Sequence, residues 1–243
     1  MATKNRILSI DIMRGLTLFL MLFVNDLYTA GVPKWMVHTA KMEDGMGLAD
    51  WVFPGFLFMV GLSIPFAFKA REKKGATPIQ LLSHILIRTF SLLLIGVFMV
   101  NLETYNTDLS LINKTLWAVL VYLFIFLIWN SYPKDHKFIK VFKGFKVVGI
   151  LGLLLMASLY RSGTSESIGW MGTSWWGILG LIGWGYLVSA LTYLWTKDRL
   201  VLIALVWLGF IVLNILAQTS YLDFLNPVQQ LFGVILDGNV PSI

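Results

Sequence analysis

Polar and charged residues along the chain gather into short breaks, and between them lie apolar runs about as long as a bilayer is thick. The runs fall near residues 7–28, 49–69, 83–102, 114–131, 145–160, 173–195 and 199–217. None shows the two-residue alternation of a barrel strand, and hairpin turns are missing between them, so each run predicts a helix. Crossing the hydrocarbon layer takes about 20 apolar residues, a length these runs reach or approach. A last apolar piece, Phe224 to Leu236, is too short to cross and predicts a partial helix, re-entrant or interfacial. The expected fold class is an all-α polytopic transmembrane helix bundle: about seven spans plus a short C-terminal partial helix, in a single transmembrane domain over 1–243.

Composition sharpens this picture. Hydrophobic residues make up 57% of the chain and charged residues 13%, more apolar surface than a soluble domain of this length hides internally, so lipid must cover the excess. The chain has no cysteine, which excludes disulfides, thiolate metal sites and a cysteine nucleophile. Its formal charge of +6 would raise nucleic-acid binding in a soluble protein, but the basic residues are distributed topologically. Lys4, Arg6, Arg14, Lys69, Arg71, Lys73, Lys74, Arg88, Lys134, Lys137, Lys140, Lys143, Lys146, Lys197 and Arg199 take fifteen of the nineteen Lys and Arg. The other connectors hold Lys34, Lys41, Lys114 and Arg161 beside Glu43, Asp44, Glu103, Asp108, Glu166 and Asp223. By the positive-inside rule, loops 70–82, 132–144 and 196–199 and the N-terminus are cytoplasmic, and loops 29–48, 101–113, 161–172 and 218–223 extracytoplasmic. A nucleic-acid partner is not expected. The first run carries Asp11 and Arg14 and lacks a small-residue cleavage site, so it reads as a retained helix rather than a signal peptide.

Charges inside a span cost about 2.5–3.5 kcal/mol each even on the lenient insertion scale, so each needs a partner or a purpose. Asp11 and Arg14 are three residues apart and close enough to pair. With Leu18, Met21 and Asn25 they form one stripe at helical spacing, a face that either seals an ion pair or lines a passage. The second helix carries Pro54 and Pro65, which predict kinks and freed carbonyls that lipid tolerates only beside protein or water. His84 and Arg88 share a face at the cytoplasmic end of the third. Gly177, Gly180 and Gly183 make a smooth strip for helix packing, with Trp175 and Trp176 as interfacial anchors.

The loop from Asp26 to Leu48 holds Lys34, Trp35, His38, Lys41, Glu43 and Asp44, the densest polar set outside. An imidazole there suits proton transfer at neutral pH, although a lone loop histidine is more often plain surface. No second histidine stands beside it at ligand spacing, so no metal is expected.

The stretch from Arg6 through Asp11, Arg14 and Gly15 to Asn25 resembles the opening of the heparan-α-glucosaminide N-acetyltransferase family. The likeness resumes at His38, at Gly47-Leu48-Ala49-Asp50-Trp51-Val52-Phe53-Pro54-Gly55 and its continuation to Gly61, and at Trp176-Gly177-Ile178-Leu179-Gly180-Leu181-Ile182-Gly183-Trp184. The shorter bacterial members fit best. The resemblance implies a multi-pass inner-membrane acyltransferase that takes acetyl-CoA as co-substrate from the cytoplasm and acetylates an amino-sugar acceptor on the far side. It places the family histidine at His38 and the family asparagine at Asn25. His38 would either carry the acetyl group or act as base, Asn25 would donate to the thioester oxygen, and Asp50 or Asp26 would orient the imidazole. Arg14 and Arg88, then Lys69 and Arg71, are the cations expected to meet the coenzyme's phosphates. Family members run on through further spans, so the domain is expected to be C-terminally incomplete here. The bilayer and a second copy of the chain complete the expected partners. Two other classes use the same residues: a transporter or flippase for an amino sugar or lipid-linked sugar, and a membrane assembly subunit without ligand.

Overall fold

The computed structural model describes residues 7–40, 43–133 and 138–219. The partial helix expected from Phe224 to Leu236 lies outside the described residues, as do Lys4, Arg6, Lys41, Lys134, Lys137 and Asp223. Among the described residues seven α-helices appear: α1 Leu8–Asn25, α2 Leu48–Glu72, α3 Pro78–Asn101, α4 Lys114–Trp129, α5 Ile139–Leu159, α6 Gly177–Thr196 and α7 Leu200–Gln218. Six of them are long and apolar enough to cross a membrane. The remaining one, α4, has 16 residues and rises about 24 Å. Strand pairing among the described residues is confined to a two-residue hairpin, β1 Ser162–Gly163 with β2 Ile168–Gly169. The expected all-α membrane fold is the fold found.

Local chemistry sets the helix edges. Thr77 Oγ1 accepts from Gln80 N at 3.3 Å while Gln80 Oε1 accepts from Thr77 N at 3.0 Å. This reciprocal cap, followed by Pro78 at the first helical position, starts α3 several residues before the apolar run does. α6 begins at Gly177 rather than 173, because Ser174 and Trp176 have φ of 46° and 66°, left-handed values that a right-handed helix excludes, and Gly177, with φ of 67°, is the junction from which the helix starts. α2 continues through both Pro54 and Pro65 rather than breaking. Each proline removes the amide that would bond the carbonyl four residues before it, at Asp50 and Gly61. Gly61, Ile64 and Pro65 border a groove of about 820 Å³ shared with α6 and α7.

The described residues fall into two compact units, one from residues up to Ser91 together with those from Leu181 onward, the other Leu92–Gly180. In the first, Val60, Ile64 and Phe68 of α2 pack with Leu81 and Ile85 of α3 and Tyr186 and Ala190 of α6. In the second, Phe98, Tyr105, Trp117, Val121, Leu153, Met156 and Tyr160 form the core. Their polar atoms are satisfied: Trp117 Nε1 donates to Met156 O at 3.0 Å and Tyr160 Oη to Asn101 O at 3.1 Å.

Lipid tails are as apolar as leucine, so close packing rather than hydrophobic burial must hold such helices together. Gly96 shows how tight that packing is. A Cβ there would stand 2.5 Å from Trp176 O and 2.6 Å from Gly180 N, both backbone atoms that cannot step aside. Gly96→Ala is expected to destabilise the second unit by about 1–3 kcal/mol, read as a lowered thermal transition of the detergent-solubilised protein. Gly15→Ala, with nothing within 4 Å of its Cβ, is the matched control.

Candidate active site

The site is assembled where α1 ends and α2 begins. Gly47 is the N-cap of α2, and its N–H donates to Asp50 Oδ2 at 2.9 Å, so the carboxylate of the first turn closes the helix start. The same oxygen accepts from Thr39 N at 3.0 Å and from Thr39 Oγ1 at 2.9 Å. Oδ1 faces His38 Nδ1 at 2.6 Å. Three donors converging on Oδ2 favour the ionised carboxylate, which can only accept, so the proton between the pair sits on Nδ1 of His38. In the neutral ring of that tautomer the lone pair is on Nε2, which has no protein partner among the described residues. An exposed ion pair contributes only about 0–1 kcal/mol to stability, and the His38 side chain is 70% exposed. Orientation of the ring is therefore the larger consequence of the contact.

Space is available beside the imidazole. His38, Trp35, Lys34, Glu43, Met46 and Gly47 are among the residues lining a pocket of about 410 Å³, within the size range of small-ligand sites. Gly47 also explains how the loop folds back on the helix: a Cβ there would collide with Val37 O. Neither Thr39 nor Gly47 stood among the site residues read from the sequence. The signal was present in part, since Gly47-Leu48-Ala49-Asp50 is an N-cap followed by an acid three residues on. Nothing local to Thr39 announced its role. Thr39→Val keeps the backbone donor and loses the hydroxyl, so the protein is expected to lose about 0.5–1.5 kcal/mol of stability, while Thr39→Ser restores it; thermal unfolding of the three detergent-solubilised proteins checks this.

The other expected residues are placed as follows. Asn25 closes α1 and Asp26 follows it; both are exposed, and neither bonds His38 among the described residues. Of the two candidate carboxylates, Asp50 is the one in contact with the imidazole. The stripe expected along α1 is turned from its predicted position: Asp11, Leu18 and Asn25 are exposed, and the face against α2 is centred on buried Thr17 with half-buried Ile10, Arg14, Met21 and Val24. The reason is close approach, because the Thr17 methyl lies 3.9 Å from where a Cβ on Gly55 would stand. No ion pair joins Asp11 and Arg14 among the described residues, and Arg14 Nε is buried with no partner there.

The remaining cations cluster at the far end of α2. Arg71 Nη2 donates to His84 Nε2 at 2.8 Å, and Arg88, one turn further along α3, stacks over the Tyr186 ring at 4.4 Å. Lys69 pairs with Asp198 at 3.0 Å, and Tyr193 donates to the same carboxylate at 3.1 Å. Those two bonds hold the Asp198 carboxyl below the usual carboxylate range, so this contact is present at neutral pH and is lost as the pH falls. Asp50 and Lys69 are separated by about 29 Å of helix, close to the thickness of the hydrocarbon layer.

These features define a multi-pass helical membrane protein with an imidazole–carboxylate pair over a pocket at one end of its second helix and a cationic cluster at the other. The chain belongs to the family described as domain of unknown function DUF5009, whose model matches residues 6–224. It is also 38% identical over 100 residues to heparan-alpha-glucosaminide N-acetyltransferase of Mus musculus and, at the same identity and length, of Homo sapiens. Each match covers 41% of this chain but only 15% of the mouse protein and 14% of the human one, so it spans a small part of these relatives. No solved structure matches the chain.

Proposed function

We propose that the protein is a membrane-embedded acetyltransferase that moves the acetyl group of cytoplasmic acetyl-CoA to the amine of a glucosamine-type sugar on the extracytoplasmic side. The observation that carries this reading is the His38–Asp50 pair: an imidazole held by its Nδ1–H, with Nε2 unpartnered beside a pocket. The partial likeness to N-acetyltransferases supports the same chemistry.

In the reaction, a sugar ammonium first gives a proton to solvent and the free amine attacks the thioester carbonyl. The C–N bond forms, the C–S bond breaks, and the surplus N–H proton passes through His38 Nε2 to the departing thiolate. Asp50 keeps the ring in the tautomer that can accept and stabilises the imidazolium that results. Asn25 supplies a donor to the carbonyl oxygen as charge builds on it. The basic connectors place the Lys69, Arg71 and Arg88 end of the helices in the cytoplasm, where their cations and Arg14 meet the coenzyme's phosphates. Arg14 is the innermost of these, about 17 Å along α1 from Asn25.

The test is release of free CoA thiol from acetyl-CoA by membranes carrying the full chain. Release that rises with added glucosamine, and that stays low with glucose, is the expected result. Release independent of any amine contradicts the proposal.

A further inference from the structure

The pocket beside His38 carries more chemistry than proton transfer uses. Its lining includes one carboxylate, that of Glu43, while Asp50 meets the pocket only through His38, Thr39 and Gly47. Asp50 is saturated by four donors, whereas the Glu43 carboxylate has no partner among the described residues, only its backbone N–H being engaged, by Ala40 O at 2.8 Å. The same lining includes Trp35, which sits in a single 3-10 turn, Lys34–Met36, and is 63% exposed. A tryptophan left that open on a loop presents a flat apolar face with nothing packed over it. An anionic group, an open aromatic face and a lysine donor, Lys34, thus surround a space next to an unpartnered imidazole nitrogen.

We infer that this pocket is the acceptor subsite, with Glu43 receiving the ammonium group of an amino sugar and Trp35 carrying the C–H face of its ring. The inference rests on the acetyltransferase reading and specifies its acceptor. A pyranose offers an apolar face to stack on indole, hydroxyls for Lys34, and one cation; the cation gains from both Glu43 and the ring quadrupole. Glucose lacks the charge and binds weakly. The product lacks it too: acetylation turns the ammonium into a neutral amide, the Glu43 contact is lost, and the product leaves. The same carboxylate therefore selects the acceptor and releases the acetylated sugar.

The experiment uses the full chain in detergent, with two readouts for wild type, Glu43→Gln and Trp35→Ala: steady-state acetylation of glucosamine, and calorimetric binding of glucosamine and N-acetylglucosamine without acetyl-CoA. Glu43→Gln is expected to raise the KM and the Kd for glucosamine about tenfold or more, leave the KM for acetyl-CoA unchanged, and leave the already weak binding of N-acetylglucosamine unaffected. Trp35→Ala is expected to weaken both sugars. If wild type acetylates glucosamine and both variants keep its KM and Kd, the subsite lies elsewhere and the inference falls while the acetyltransferase reading stands. If acetyl transfer is absent yet glucosamine binding is lost in Glu43→Gln, the subsite stands and the reading falls. Glucosamine binding to none of the three overturns the inference, and an effect of Trp35→Ala confined to thermal stability marks that residue as a membrane anchor.

Discussion

His38→Ala is expected to lower acetyl transfer by about 10²–10⁴-fold and to leave the thermal transition of the protein where it was. The two halves of this expectation come from different observations. Removing the imidazole removes the one histidine among the residues that line the pocket, the side-chain type suited to taking a proton at neutral pH. The fold is spared because the side chain is largely exposed and its ion pair with Asp50 is at the surface, where such pairs contribute little. Addition of free imidazole should restore part of the activity, since the pocket is open to solvent. Normal turnover of the alanine variant, measured with glucosamine and acetyl-CoA, would remove His38 from the chemistry.

Asp50→Asn is expected to cost a similar factor in turnover and, unlike the first variant, to lower the thermal transition as well. The amide has one oxygen and one nitrogen where the carboxylate had two acceptors. Three donors, Gly47 N, Thr39 N and Thr39 Oγ1, already compete for one position, and they will claim the oxygen. The amide nitrogen then faces His38 Nδ1, which must become an acceptor. The ring proton moves to Nε2 and the base is lost. If the amide turns the other way, three donors in a partly buried loop lose their acceptor, at about 1–3 kcal/mol for each one left unsatisfied. Either outcome is visible: the first in kcat, the second in thermal unfolding. Asp26→Asn, at an exposed carboxylate without contact to the imidazole, should change neither.

The membrane fold was legible because the signal is crude and long. Apolar runs of bilayer length need no knowledge of tertiary packing, and all seven reappear as helices with edges moved by a few residues. Where edges moved, short-range chemistry had overruled hydropathy. The Thr77-Pro78-x-Gln80 cap begins α3 in a polar stretch, and the left-handed turn at Trp176 delays α6 in an apolar one. α5 starts at Ile139 rather than 145 because Lys140, Lys143 and Lys146 read as a loop in one dimension. In the folded unit Tyr132 stacks on Phe142 at 5.0 Å, which orders those turns while the lysines stay exposed.

The site was legible only in outline. His38 and Asp50 could be named as residue types worth attention, but their contact depends on the chain folding back so that Val37 O meets a residue without a side chain, Gly47. Thr39 enters through its backbone amide as much as its hydroxyl, and an amide carries no sequence signature. The rotation of α1 had a similar origin: the stripe drawn through Arg14 and Asn25 followed charge, whereas packing followed the small pair Thr17 and Gly55.

The proposed activity differs from translocation of an amino sugar in what becomes of the sugar. Right-side-out vesicles carrying the full chain and loaded with acetyl-CoA, given glucosamine outside, separate the two by mass spectrometry of the sugar in each compartment. N-acetylated sugar in the outer medium, with free CoA accumulating inside, is the predicted result. Unmodified glucosamine accumulating in the lumen, with the acetyl-CoA intact, would contradict it.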